Sequence, residues 1–143
     1  MRILPGSKAR RKDPSSNKVQ PPWKNGLVRI LITGAAGQDG TILATQVARE
    51  GHEVVGLVKP GTDTQLLSRY VPSAQILECD LADHIRLAGI VKDFAPEEIY
   101  NLGGFTSPGD SWDNEDEVTL INVESVRALL DSVRNIESTR IFQ

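Results

Sequence analysis

A second cysteine is missing from this 143-residue sequence, so no internal disulfide can form around Cys79, and a reducing compartment such as the cytoplasm is expected. Long hydrophobic runs are missing too. None approaches the roughly 20 apolar residues that span a bilayer, so no membrane partner is expected. The N-terminus is basic but has no apolar stretch behind it, which argues against a secretory signal. Metal ligands are sparse: His52 and His84 stand 32 residues apart and Cys79 is the single thiol, so no zinc set is spaced for binding. These read as two surface histidines and a buried strand cysteine. The serine-nucleophile pattern G-x-S-x-G does not occur. Nor is there an excess of positive charge. The formal net charge is −3, which favours no nucleic-acid partner for the chain as a whole.

The charge that is present is unevenly placed. Residues 1–25 hold seven Lys and Arg against one acid, Asp13, whereas 26–143 hold nine basic and eighteen acidic residues. Residues 1–26 are also rich in Pro and Ser and lack hydrophobic periodicity. They fit a basic arm or an unstructured extension; without interleaved aromatics the extension is the plainer reading, and they are expected to be a disordered tail.

From Leu27 onward the texture is that of a folded domain, with 39% hydrophobic and 24% charged residues over the whole chain. The run Leu27–Ile32, rich in β-branched residues, predicts a buried strand that ends at Thr33-Gly34. A helix is expected over Gly40–Glu50, with Ile42, Leu43 and Val47 on its inner side and Gly51 as its cap. Glu53–Val58 predicts a second strand, and Leu66, Leu67 and Tyr70 a short helix or turn. Gln75–Cys79 predicts a third strand. A helix carrying Leu87, Ile90, Val91 and Phe94 follows, stopped before Pro96. Glu98–Leu102 predicts a fourth strand, 116–134 a helix with Leu120, Val123, Val126, Leu130 and Val133, and Thr139–Phe142 a fifth strand. Alternating strands and helices imply an α/β fold. Right-handed crossovers then favour a parallel, Rossmann-type sheet of order 3-2-1-4-5 with helices on both faces. The expected domain spans 27–143 and is incomplete at its C-terminal side.

Chemistry concentrates at the first strand-to-helix turn. Thr33-Gly34-Ala35-Ala36-Gly37-Gln38-Asp39-Gly40 is a G-x-x-G-x-x-G stretch between a strand and a helix, the context in which three glycines point to a dinucleotide. Gly34 permits the sharp turn, Gly37 lets a pyrophosphate approach the backbone, and Gly40 lets the helix pack closely. The helix start offers unpaired N–H groups to the phosphates. At the end of the second strand, where an acid would hold a ribose 2′-hydroxyl, Val58 is followed by Lys59, while Glu53 sits at the wrong end. A cation there suits a 2′-phosphate, hence NADP, unless Lys59 is merely a solvated lysine. Asp80, beside Leu81, fits either an adenine amine or the cap of the next turn. Leu102-Gly103-Gly104 ends strand four at the ligand-binding edge of an open sheet. The acidic run Asp110, Asp113, Glu115, Asp116 and Glu117 reads as a solvated helix start rather than a metal site, and Trp112 as a packing residue.

Taken together, Gly34-Ala35-Ala36-Gly37-Gln38-Asp39-Gly40, Asp80-Leu81 and Glu98-Ile99-Tyr100-Asn101-Leu102-Gly103-Gly104 resemble the extended short-chain dehydrogenase/reductases. The Gly-Gln-Asp-Gly core and the Ile-Tyr-Asn-Leu-Gly segment resemble GDP-mannose 4,6-dehydratases in particular. Ser111-Trp112, Asn122-Val123 and Leu129-Leu130-Asp131 stand in a similar order, so the resemblance covers about 28–143. It implies a lyase that converts GDP-mannose to GDP-4-keto-6-deoxymannose with NADP, which takes a hydride from C4 and returns it to C6 after water is lost across C5 and C6. It implies that Gly34, Gly37, Gln38, Asp39 and Gly40 hold the pyrophosphate and that Lys59 stands where the family has an Arg for the 2′-phosphate. By the same resemblance Asp80 and Leu81 flank adenine, Leu102, Gly103 and Gly104 line the cofactor site, and Thr106 and Ser107 approach the substrate. Family members form dimers and tetramers, which leaves a homo-oligomer open.

The sequence departs from the family at Phe105-Thr106-Ser107-Pro108. Its catalytic Ser/Thr and Glu would follow the strand ending at Gln143, and no Tyr-x-x-x-Lys pair occurs: Tyr70 is followed by Ala74 and Tyr100 by Gly104. That tyrosine is the family's general base. The expectation is therefore a fragment that binds cofactor, has no catalytic residues of its own and turns nothing over. The alternatives are a non-catalytic NADP(H)-binding module, a piece of a nucleotide-sugar epimerase or reductase, or a remnant that folds poorly.

Overall fold

Arg29–Thr33 forms strand β1, whose last four residues are all buried, as its unbroken apolar run requires. The computed structural model describes residues 26–105, 115–136 and 138–143; the expected tail over 1–26, apart from Gly26, and Thr106, Ser107 and Trp112 lie outside them. After β1 come helix α1 (Gln38–Arg49), strand β2 (Glu53–Val58), helix α2 (Gln65–Tyr70), strand β3 (Gln75–Glu78), helix α3 (His84–Phe94) and strand β4 (Glu98–Asn101). Helix α4 (Glu115–Thr119) runs through a π-helical turn (Leu120–Glu124) into helix α5 (Ser125–Val133), and strand β5 (Arg140–Phe142) follows. The five strands are all parallel, in the order β3-β2-β1-β4-β5. Each parallel step needs a crossover, and the sheet separates two apolar layers accordingly. On one face Ile30, Ile32, Val54 and Val58 meet Ala44 and Val47 of α1 and Leu67 of α2. On the other, Leu31, Val55, Leu57 and Ile99 meet Leu87 and Val91 of α3 and Leu129 and Val133 of α5. No helix among the described residues is long and apolar enough to cross a membrane.

Helix ends follow local chemistry. Gly51 takes φ +91° after α1, Asp83 caps α3 by accepting the Arg86 N–H at 3.0 Å, and Ala95 ends α3 in the left-handed region at φ +47° before Pro96. Three expectations need correction. Helix α1 starts at Gln38, two residues early, and buries Gly40, Ala44 and Val47 while Ile42 is exposed. The helix after β4 buries Ser125, Leu129 and Val133, and leaves Leu120, Val123 and Leu130 exposed. The π turn, closed by the Ser125 N–H on the Leu120 carbonyl while the Ser125 hydroxyl donates to the Ile121 carbonyl, inserts one residue and rotates the phase that a uniform 3.6-residue period implies. Finally, His52 is not a surface histidine: its ring is half-buried and its Nδ1 accepts the Val28 N–H at 3.3 Å.

Candidate nucleotide-binding cleft

Strand β1 has β2 on one side and β4 on the other, so the connections leaving its C-terminal edge diverge and open a crevice there. The backbone at this point is tightly interlocked. Gly34 turns off β1 at φ +64°, and a Cβ on it would lie 2.8 Å from the Gly103 nitrogen. A Cβ on Gly40 would lie 2.3 Å from the Gly34 carbonyl oxygen. Both are contacts that only hydrogen permits, and they press the start of α1 against the end of β1. Gly37 differs. Its φ of −68° suits any residue, and its Cβ position meets the chain only at the Gly34 oxygen, 3.2 Å away. It is exposed, so the approach it permits is from outside.

Gly37 is also the N-cap of α1 and offers no side-chain cap. The first-turn N–H groups of Gln38, Asp39 and Gly40 therefore point outward without helical partners. Gln38 and Asp39 are exposed here, and the Asp39 carboxylate lies in the first turn, where the helix dipole favours it. An anion meets backbone donors at this end, aided by the dipole.

The β4 side is braced by a buried polar pair that sequence reading missed. The Thr33 hydroxyl donates to Asn101 Oδ1 at 2.6 Å and accepts the Gly103 N–H at 2.9 Å. Asn101 in turn donates to Gln143 Oε1 at 2.8 Å. Asn122, on the π turn, clamps Phe105 from both sides, accepting its N–H at 2.8 Å and donating to its carbonyl at 3.0 Å. The signal was available, since a threonine and an asparagine amid apolar strands need partners, but which partners depends on the fold.

These elements enclose a cleft of about 220 Å³ walled by Gly34, Ala36, Gly37, Leu57, Val58, Lys59, Thr62, Cys79, Asp80, Leu81, Gly103, Gly104, Phe105 and Ile121. Most residues expected at a cofactor site are thus brought together. Gln38, Asp39, Gly40 and Leu102 are not among its walls: the first three form the first turn of α1 beside it, and Leu102 is exposed, although its backbone abuts Gly34. Asp80 Oδ1 accepts the Ala82 N–H at 2.9 Å, so it does cap the turn after β3 while still facing the cleft. Cys79 is buried in the wall, and burial pushes its thiol pKa up. Lys59 is not a lone cation, for its Nζ lies 3.9 Å from Glu117 Oε1. Among the described residues no three His, Cys, Asp or Glu side chains converge as a metal site.

A larger hollow, about 1160 Å³, lies over β1, β4 and β5 beside α1 and is lined by Ile30, Leu43, Val47, Tyr100 and Phe142 among others. Its wall has no glycine turn and no helix start, so its size carries no phosphate chemistry. Tyr100 faces it, stacked on Phe142 with ring centroids 4.7 Å apart. Burial and the hydrogen bond to Glu98 push its phenol up to about 12, which keeps it protonated near neutral pH, and it faces away from the cleft.

The sequence profile of the GDP-mannose 4,6 dehydratase family matches residues 31–143. The GDP-mannose 4,6-dehydratase of Vibrio cholerae is 28% identical over 127 residues, covering 80% of this chain and 34% of that protein. The human GDP-mannose 4,6 dehydratase is 30% identical over 126 residues, covering 79% and 34%. Among solved structures, the UDP-glucose 4-epimerase of Thermus thermophilus in complex with NAD superposes with a TM-score of 0.68 at 22% identity, covering 79% of this chain and 36% of that one. The chain spans about a third of the length of the relatives it matches.

Proposed function

This chain belongs to the GDP-mannose 4,6 dehydratase family, and from that membership we propose that residues 27–143 are the nicotinamide-dinucleotide-binding part of a nucleotide-sugar dehydratase acting on GDP-mannose in the cytoplasm. The observation that carries the reading is the interlock of Gly34, Gly40 and Gly103, which brings the start of α1 against the end of β1, with the exposed, uncapped Gly37 leaving room there for a phosphate. The residues fit the group they would hold. Gly34, Gly37, Gln38, Asp39 and Gly40 would take the pyrophosphate on backbone N–H groups. Asp80 and Leu81 would flank the adenine, and Gly103 and Gly104 would admit the nicotinamide ribose beside β4. Lys59 would meet a 2′-phosphate, favouring NADP. Thr106 and Ser107 would approach the sugar. When bound, the nicotinamide supplies reversible hydride acceptance, which a 4,6-dehydration needs. This chain's own part is to bind and orient. No tyrosine in its 143 residues is followed by a lysine four positions on, so it is assigned no proton transfer.

The likeness to an epimerase structure supports a second reading, a nucleotide-sugar epimerase that uses the same cleft with NAD. Calorimetric titration of the purified chain with NADP⁺ and NAD⁺ tests the reading. Saturable binding of NADP⁺ that is weakened by Lys59→Glu supports the first reading, and tighter binding of NAD⁺ favours the second. If neither nucleotide binds, both fall.

A further inference from the structure

Acidic side chains stand near the rim of the cleft where a ribose 2′-substituent would lie, Asp80 in its wall and Glu117 against Lys59. Lys59, directly after β2, is the one Lys or Arg among the described residues that wall the cleft. It is held by Glu117, one turn before Ile121, whose side chain is part of that wall. A second carboxylate stands close by: Glu78, paired in register with Val58, accepts the Gly61 N–H at 3.2 Å. Lys59 thus has one carboxylate within ion-pair reach, Glu117, while Glu78 holds the turn that follows it. Both partners of the Lys59–Glu117 pair are largely exposed, with side-chain exposures of 68% and 47%, so the pair adds little to stability and can separate at small cost.

Glu117 acts against a 2′-phosphate in two ways. It occupies the ammonium that would meet the phosphate, and it adds a negative charge beside a group that itself carries about −1.5 to −2 near neutral pH. A neutral 2′-hydroxyl meets neither penalty and can donate to a carboxylate. Resting on the reading of this cleft as a dinucleotide site, we propose that Glu117 is a specificity-determining residue that holds down the preference for NADP over NAD that Lys59 would otherwise confer. The discriminating element is then a pair drawn from the end of β2 and the start of α4, rather than a single residue after β2.

The test is to measure Kd for NADP⁺ and NAD⁺ on the parent, Glu117→Gln and Glu117→Lys, at low and high salt. The first substitution keeps size and lies on the exposed surface of α4, so the unfolding midpoint should not move. NADP⁺ should tighten about three- to tenfold in Glu117→Gln, the scale of one charge acting through roughly 5 Å of water-like dielectric, and further in Glu117→Lys. NAD⁺ should change less than about twofold, and the NADP⁺ gain should shrink at high salt as screening sets in. If the parent binds nucleotide and the NADP⁺-to-NAD⁺ ratio is the same in all three proteins, the role of Glu117 is overturned while the dinucleotide site stands. If the parent binds neither nucleotide, the site itself is refuted and this inference with it.

Discussion

The two faces of the sheet are covered by different means. On the α3/α5 face the contacts are made by large side chains, with Leu87, Val91 and Leu129 fully buried against Leu31, Leu57 and Ile99. On the α1/α2 face α1 meets the sheet through Gly40, Ala44 and Val47, and Ala35 lies so close to Gly56 that a Cβ there would approach its methyl to 2.8 Å. Small residues bring the backbone of α1 down onto the end of β1, which places its uncapped N–H groups at the cleft. The same face is left open further along, over β4 and β5, where Tyr100 and Phe142 line the large hollow. One face is thus a conventional apolar core. The other exchanges side-chain volume for a close backbone approach, and that exchange is what a phosphate site requires.

Substitutions should separate these two modes, the greatest effect coming where backbone meets backbone. Gly40→Val forces a branched side chain onto the Gly34 oxygen and the Ala35 backbone, neither of which can rotate away; a loss of about 4 kcal/mol or more, with loss of nucleotide binding, is expected in denaturant unfolding and calorimetry. Leu129→Ala on the other face should cost about 3 kcal/mol by the ordinary cavity mechanism and leave nucleotide affinity nearly unchanged. An equal effect of both on binding would break the distinction. Thr33→Val strands the buried Asn101 Oδ1 and the Gly103 N–H, and about 2 kcal/mol should be lost in the same unfolding assay.

Smaller effects belong to the open part of the α1/α2 face. Phe142→Ala removes a half-exposed ring and its stack on Tyr100, for about 1 kcal/mol; a loss matching that of Leu129→Ala would mean the hollow is covered in solution. Least of all should be a change in pH dependence. The folded Tyr100 phenol is pushed from its ordinary value of 10.0 up to about 12. Between those values the unfolded chain gives up the proton and the folded one keeps it. The contribution is therefore fully present below pH 10 and is lost as pH rises to about 12. Thermal melts of Tyr100→Phe across the range from about pH 9 to about pH 12 should show a shallower alkaline decline than the parent.

Much of this was legible in the residue pattern. Strand order and the glycine turn followed from alternation and from Gly34, Gly37 and Gly40, because buried parallel strands and a phosphate turn impose local composition. What was not legible depended on distance or on phase. Lys59 reads as a free cation because its partner Glu117 comes from another element. The Thr33–Asn101 pair joins residues 68 apart in sequence. The inner side of α5 was misjudged because nothing in Leu120–Glu124 announces a π turn. Leu102 was placed in the cofactor wall by its neighbours, yet an alternating strand end turns it outward.

The contact between Gly34 and Gly103 also bears on the order in which the molecule folds. The glycine turn belongs to the first strand and helix, but the wall it leans on arrives some 70 residues later. A chain that had formed only β1, α1 and β2 would hold the whole glycine motif and still lack half of the site. Closing so long a loop is slow relative to local helix formation, so under the proposed reading a nucleotide would meet the complete cleft only after β4 has docked. A dinucleotide added during refolding should then leave the early rate unchanged and act on the unfolding rate instead, lengthening the life of the assembled sheet.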